Sequence, residues 1–262
     1  MKLAVTGKGG VGKTTISALL SAALEAAGGD VLAIDADPDA NLLACMGYAE
    51  PDKVPPLVEL KDLIEERTGA KPGTTGGMFK MNPRVEDIPG KYAVDIDGVK
   101  VLVAGAVKRG GTGCYCPENA FVRTLISHLL LKKNMTLIVD MEAGVEHLSR
   151  GTAEAVDALL IVVEPGRRSL ETAGRITRMA ADLRLQRVTA VGSKIRSETE
   201  KAFLEKTLSD IEFVGFVPYD ERLRDAEIGG RSVVGASEQV GKAISEMMTN
   251  LLGLRHAAGP RD

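Results

Sequence analysis

Residues Gly7-Lys8-Gly9-Gly10-Val11-Gly12-Lys13-Thr14 lie near the start of a 262-residue chain. They have the G-x-x-x-x-G-K-[ST] spacing of a phosphate-binding loop. Glycines there let backbone N–H groups curl around phosphate oxygens without Cβ clashes. The apolar run Leu3–Thr6 before the loop reads as a strand. The amphipathic pattern that opens at Thr14 reads as a helix, whose positive dipole end faces the anion. Lys13 is spaced to reach β- and γ-phosphates, and the Thr14 hydroxyl to ligate Mg²⁺. Gly9, Gly10, Val11, Gly12, Lys13, Thr14 and Thr15 are therefore the expected contacts to ATP or ADP.

Two further segments end in carboxylates. Leu32-Ala33-Ile34 runs into the acidic turn Asp35-Ala36-Asp37-Pro38-Asp39, and Leu137-Ile138-Val139 runs into Asp140. An apolar strand closed by a carboxylate is the pattern that holds a Mg²⁺ shell beside bound phosphates, which points to Asp140. The following Met141-Glu142-Ala143-Gly144 has a glycine that can change backbone state and reads as a switch.

A third segment is Gly110-Gly111-Thr112-Gly113-Cys114-Tyr115-Cys116-Pro117. Residues i and i+2 of an extended chain share a face with Cα atoms about 6.5–7 Å apart. Both side chains can tilt inward to the roughly 3.7 Å separation of two sulfurs on a tetrahedral zinc. A helix opening at Pro117, a favoured first position, would lower both thiol pKa values. Cys114 and Cys116 thus read as ligands for Zn²⁺ or Ni²⁺, with two small buried side chains as the alternative. Cys45, inside Leu42-Leu43-Ala44-Cys45-Met46, reads as core.

These sites need a frame. Apolar, β-branched runs at Leu3–Thr6, Val31–Asp35, Val101–Ala104, Leu137–Asp140, Leu159–Val163, Val188–Val191 and Phe213–Val217 alternate with helix-period segments. That alternation specifies an α/β fold, a single doubly wound, mostly parallel sheet flanked by helices. Tyr92–Ile96 and Val99–Val103 flank Asp97-Gly98, a two-residue hairpin signal. Lys71–Gly77 reads as a loop, residues 1–254 as one domain and 255–262 as a frayed tail. Aromatic residues make up 3% of the chain and its formal net charge is −3, which argues against stacking on nucleic acid or a global field for it. No run approaches the ~18 apolar residues of a membrane span. No signal-peptide pattern precedes the loop, so the expected location is the cytoplasm, where thiols stay reduced. Near the C-terminus, Ile244, Met247, Met248, Leu251 and Leu252 form an apolar stripe. The opposite face has little positive charge, so the helix is expected to pack on the sheet rather than on lipid.

Lys-Gly-Gly-Val-Gly-Lys-Thr-Thr, residues 8–15, resembles the deviant phosphate-loop motif of the MinD, ParA and nitrogenase-iron-protein group of P-loop NTPases. The resemblance implies that Lys8 crosses a homodimer interface to the partner's phosphates and that Asp37 orients the attacking water. It also implies adenine contacts near Gly192-Ser193-Lys194 and a later proline loop, which maps to Lys194, Pro218 and Tyr219, with Ser193 standing where the group has asparagine. Together with Gly113–Phe121 and Met141–Thr152, the loop is similar to the CooC type, the nickel-insertion accessory ATPases of carbon monoxide dehydrogenase and their acetyl-CoA synthase relatives. This resemblance runs from Met1 to about Val217 and implies a client nickel enzyme and a metal shared by the cysteine pairs of both subunits. Glu142 is larger than that switch usually carries, and His147 reads as an ordinary helix residue. An iron–sulfur carrier ATPase would show C-x-x-C or widely separated single cysteines, and a MinD/ParA-like positioning ATPase a basic amphipathic C-terminal helix. A biosynthetic ligase of similar fold would need a substrate pocket.

Overall fold

The computed structural model describes residues 1–73, 78–105, 117–132, 135–145, 148, 152 and 155–257. Eight strands form one sheet: β1 (Lys2–Gly7), β2 (Val31–Ala36), β3 (Val94–Ile96), β4 (Val99–Val103), β5 (Thr136–Met141), β6 (Ala158–Val163), β7 (Val188–Ile195) and β8 (Glu212–Pro218). Their order is β3-β4-β2-β5-β1-β6-β7-β8. Every neighbouring pair is parallel except β3–β4. The helices are α1 (Lys13–Ala26), α2 (Leu42–Cys45), α3 (Lys61–Thr68), α4 (Ile88–Tyr92), α5 (Pro117–Leu131), α6 (Arg167–Asp182), α7 (Glu198–Thr207), α8 (Glu221–Ile228) and α9 (Glu238–Ala257).

Two cores result from the two-residue period of the strands. Leu3, Val5, Ala33, Val101, Ile138, Leu160 and Val162 face one side and pack with α1, α2 and α9. Ala4, Leu32, Ile34, Leu102, Val139, Leu159 and Ile161 face the other and pack with α3, α5, α6 and α7. A sheet covered on both faces needs strands apolar throughout, which is why β2 and β6 are buried at every position. Each fully buried aliphatic side chain contributes about 1.5–3 kcal/mol.

The β3–β4 hairpin turns at Asp97 and Gly98, with φ of 48° and 88°. Positive φ at both positions is the geometry that makes Asp-Gly a hairpin signal, and Asp95 Oδ1 accepts the Gly98 N–H at 3.1 Å. The expected first strand was too long, because Tyr92 belongs to α4. Pro89 favours the start of that short helix, and Ala93 N–H closes it on Pro89 O at 3.1 Å. The C-terminal stripe packs on the sheet, with Ile244, Met247 and Leu251 buried in the first core. Helix α9 runs to Ala257. No helix among the described residues is long and apolar enough to cross a membrane.

Candidate functional site

The central strand β1 has β5 on one side and β6 on the other; the chain leaves β1 toward β2 and leaves β5 toward β6, in opposite directions across the sheet. The crevice beyond its C-terminal end is where open α/β sheets bind ligands. The glycine loop fills that place between Gly7 and α1. Gly7 has φ 150°, and a Cβ on it would lie 2.4 Å from Val162 O, so only glycine lets β1 leave the sheet so close to β6. Gly12, with φ 97°, opens α1, whose first turn carries no side-chain cap and no acidic residue. Free N–H groups at a helix start suit an anion. The Val11 side chain is buried in the core and anchors the loop from beneath.

Lys13 is 7% exposed, and its Nζ lies 3.7 Å from Asp37 Oδ2. The turn carrying Asp37 is built by Asp35. Asp35 Oδ2 accepts the Leu42 N–H at 2.8 Å, and Oδ1 accepts the Asp37 N–H at 3.2 Å. In the sheet register Asp35 sits beside Asp140. Both are fully buried. Burial, reinforced by the charge of Asp35, pushes Asp140 up to about 7, with the Thr14 hydroxyl and Lys13 opposing the shift. Burial likewise raises Asp35 to about 6 against its backbone hydrogen bonds.

Thr14 faces Asp140, yet neither carboxylate oxygen of Asp140 has a hydrogen-bond partner of good geometry. A buried carboxylate without partners is costly. Placed beside a threonine hydroxyl at a phosphate loop, it is the oxygen donor set that Mg²⁺ takes with a nucleotide. Thr14 and Asp140 therefore fit that ion.

Beyond Asp140 the chain is tied back to β1. The Thr6 hydroxyl lies 2.9 Å from both Glu142 O and Gly144 O and accepts the Gly144 N–H at 3.1 Å. Thr6 is fully buried, and nothing in its local sequence marks it.

The remaining expected residues take varied positions. Lys8 Nζ donates to Gly9 O at 3.2 Å and lies 3.9 Å from Glu164 Oε1. Lys194 Nζ donates to Gly10 O at 2.5 Å and lies 3.7 Å from Glu164 Oε2. The neighbouring Ser193 is buried, its Oγ 3.2 Å from the place a Cβ on Gly12 would occupy. Thr15 turns its hydroxyl toward Glu227 Oε1 on α8, at 3.4 Å. Pro218 ends β8 opposite Ile195, and Arg196 stacks over the Tyr219 ring at 3.6 Å. Cys45 is buried as expected, and burial pushes its thiol to about 12. Cys114, Cys116 and His147 lie outside the described residues. Among the described residues no cluster of three or more His, Cys, Asp or Glu is arranged to hold a metal.

The sequence profile described as the CobQ/CobB/MinD/ParA nucleotide binding domain matches residues 2–233. The chain is 44% identical, over 96% of its length and 96% of the relative's, to the carbon monoxide dehydrogenase accessory protein CooC of Rhodospirillum rubrum. It is 40% identical to an ATP-binding protein of Methanocaldococcus jannaschii, over 98% of this chain and 99% of that one. The MinD cell division protein of Aquifex aeolicus shares the fold with a TM-score of 0.67 at 22% identity, covering 96% of each chain.

Proposed function

The chain belongs to the CobQ/CobB/MinD/ParA nucleotide-binding family and, within it, to the CooC-type accessory ATPases, and from that premise we propose that it is a dimeric, Mg·ATP-dependent metallochaperone delivering nickel to a client metalloenzyme. The client would be a carbon monoxide dehydrogenase or an acetyl-CoA synthase. The full-length 44% match to CooC carries the reading.

In this reading the uncapped start of α1 and the glycine amides hold the phosphates, and Lys13 neutralises the β- and γ-oxygens. Asp37 orients the attacking water, and its contact with Lys13 supports a position beside the γ-phosphate. Thr14 and Asp140 would hold Mg²⁺, which when bound offsets phosphate charge and fixes phosphate geometry. Lys8 reaches the phosphates of the second protomer. Lys194 and Pro218, at the ends of β7 and β8, bound the nucleoside side of the crevice.

Nickel is cargo. One Cys114–Cys116 pair supplies two thiolates, and two-fold symmetry supplies two more, which completes a four-sulfur site on the dimer axis. Such a site couples metal to dimerisation, and coupling between sites is reciprocal. Equilibrium dialysis with Ni²⁺ and Zn²⁺ should give one metal per dimer. Cys114→Ser and Cys116→Ser should each lose it while still binding ATP, and Cys45→Ser should keep it. One tightly bound metal per monomer, or metal retained without the pair, would overturn the shared site.

A further inference from the structure

Glu164 immediately follows β6, the strand that lies between β1 and β7. Gly7 pairs with Val162 across one edge of β6, and Gly192 pairs with Val163 across the other. One step further along all three strands come Lys8, Glu164 and the Ser193-Lys194 pair. The sheet register thus brings one carboxylate between two lysines that lie 186 positions apart in the chain (194 − 8). The geometry agrees, with Lys8 Nζ 3.9 Å from one oxygen and Lys194 Nζ 3.7 Å from the other.

The carboxylate is held in place. Its backbone N–H donates at 3.1 Å to Ser169 Oγ, a buried hydroxyl in the first turn of α6. On the far side, Lys194 adopts φ 59° where β7 and β8 lose register. Left-handed backbone is strained for a non-glycine residue. Here it accompanies an ammonium lying on Gly10 O at the top of the loop. Strain of this kind persists where surrounding contacts over-determine it, and it gathers at functional sites.

We propose that Glu164 is a latch: its carboxylate keeps Lys8 and Lys194 folded over the phosphate loop of the free protomer, and Lys8 must leave it for the ATP-bound dimer to form. This rests on the reading of Lys8 as the lysine that crosses to the partner. The latch is weak by construction. Glu164 is 30% exposed and the two lysines 34% and 45%, and exposed pairs of this kind contribute little. A triphosphate on the partner presents more negative charge than one carboxylate and can therefore draw Lys8 away. A diphosphate lacks the terminal group and leaves the latch closed. Glu164 acts through Lys8 and Lys194, so it is a positioning residue rather than a catalytic one.

The test is dimerisation of the full chain against concentration of a non-hydrolysable ATP analogue, followed by light scattering, with ADP affinity measured in parallel. In Glu164→Gln the half-point for dimerisation should fall about 3- to 10-fold, the range expected from removing weak ion pairs. ADP affinity should stay within about twofold, as expected if the loop itself is undisturbed. Glu164→Asp should lie between wild type and Glu164→Gln. Raising salt should move wild type toward the variant, since exposed pairs are screened. In Lys8→Ala the added Glu164→Gln change should have no effect on dimerisation. If Lys8→Ala loses ATP-dependent dimerisation but Glu164→Gln matches wild type, the latch is wrong and the crossing lysine stands. If Glu164→Gln shifts ADP affinity as much as dimerisation, Glu164 only shapes the loop and the latch is wrong. If Lys8→Ala dimerises like wild type, the crossing role falls and the latch with it.

Discussion

Replacing Asp140 by asparagine tests the electrostatics of the site without any ligand. Asp140 is fully buried, its oxygens have no hydrogen-bond partner of good geometry, and Asp35 lies beside it in the sheet. Burial first, and Asp35 second, raise its pKa from 3.8 to about 7. The folded chain therefore holds a proton that the unfolded chain releases above pH 3.8. Stability from a raised pKa is full below the unfolded value and is lost as pH rises through the folded one. Between about pH 5 and pH 8 the nucleotide-free protein should lose about 2.5 kcal/mol through this group, at ~1.4 kcal/mol per pH unit of unequal protonation. Asparagine does not titrate, so its own burial cost, about 1–3 kcal/mol, is the same at every pH. The strongly ion-paired carboxylates, Asp87 with Arg67 and Asp220 with Arg222, are held well below the usual range and stay ionised across this window. Thermal unfolding in EDTA should then show the wild-type Tm falling toward alkaline pH relative to Asp140→Asn. The relative shift should be about 5–10 °C at ~2–4 °C per kcal/mol. Mg·ATP should restore more stability to wild type at pH 8 than at pH 5, and this pH dependence should shrink in the variant, where Asp35, raised to about 6, still titrates. Parallel Tm curves for the two proteins from pH 5 to 8 would refute the claim that Asp140 is held protonated in the nucleotide-free protein.

Lys13→Ala should abolish ATP hydrolysis and weaken nucleotide binding by about 2 kcal/mol or more, through loss of a charge-assisted phosphate contact. Phosphate release and calorimetry measure both effects, and wild-type turnover would remove Lys13 from the site. Thr6→Val should cost about 1–3 kcal/mol of stability, because the Gly144 N–H and the carbonyls of Glu142 and Gly144 lose a buried partner. It should also slow ATP turnover by loosening the segment after Asp140, whereas Thr6→Ser should restore both; a serine variant no better than valine would show that methyl packing, not the hydroxyl, is what matters.

The chemistry of the loop was legible because it is local. Gly7 through Thr14 are consecutive, and their glycines, lysine and threonine suit phosphate by type and spacing alone. The apolar runs also gave the parallel sheet, and Asp97-Gly98 gave the hairpin, since periodicity and turn propensity act over a few residues. The end of α4 at Tyr92 escaped because its aromatic and β-branched neighbours satisfy a strand pattern equally well, although Pro89 favours the start of a short helix. The contacts that tune the site come from strand order, which no local pattern encodes. Asp35 raises Asp140 because β2 and β5 are neighbours. Glu164 meets Lys8 and Lys194 because β6 lies between β1 and β7. Thr6 reaches Glu142 and Gly144 because β1 lies against β5. The sequence determined which groups this protein can use on a nucleotide. Tertiary structure decided which of them share a counter-charge or a hydrogen bond, because Coulombic and hydrogen-bond energies depend on distances in space that only the assembled sheet sets.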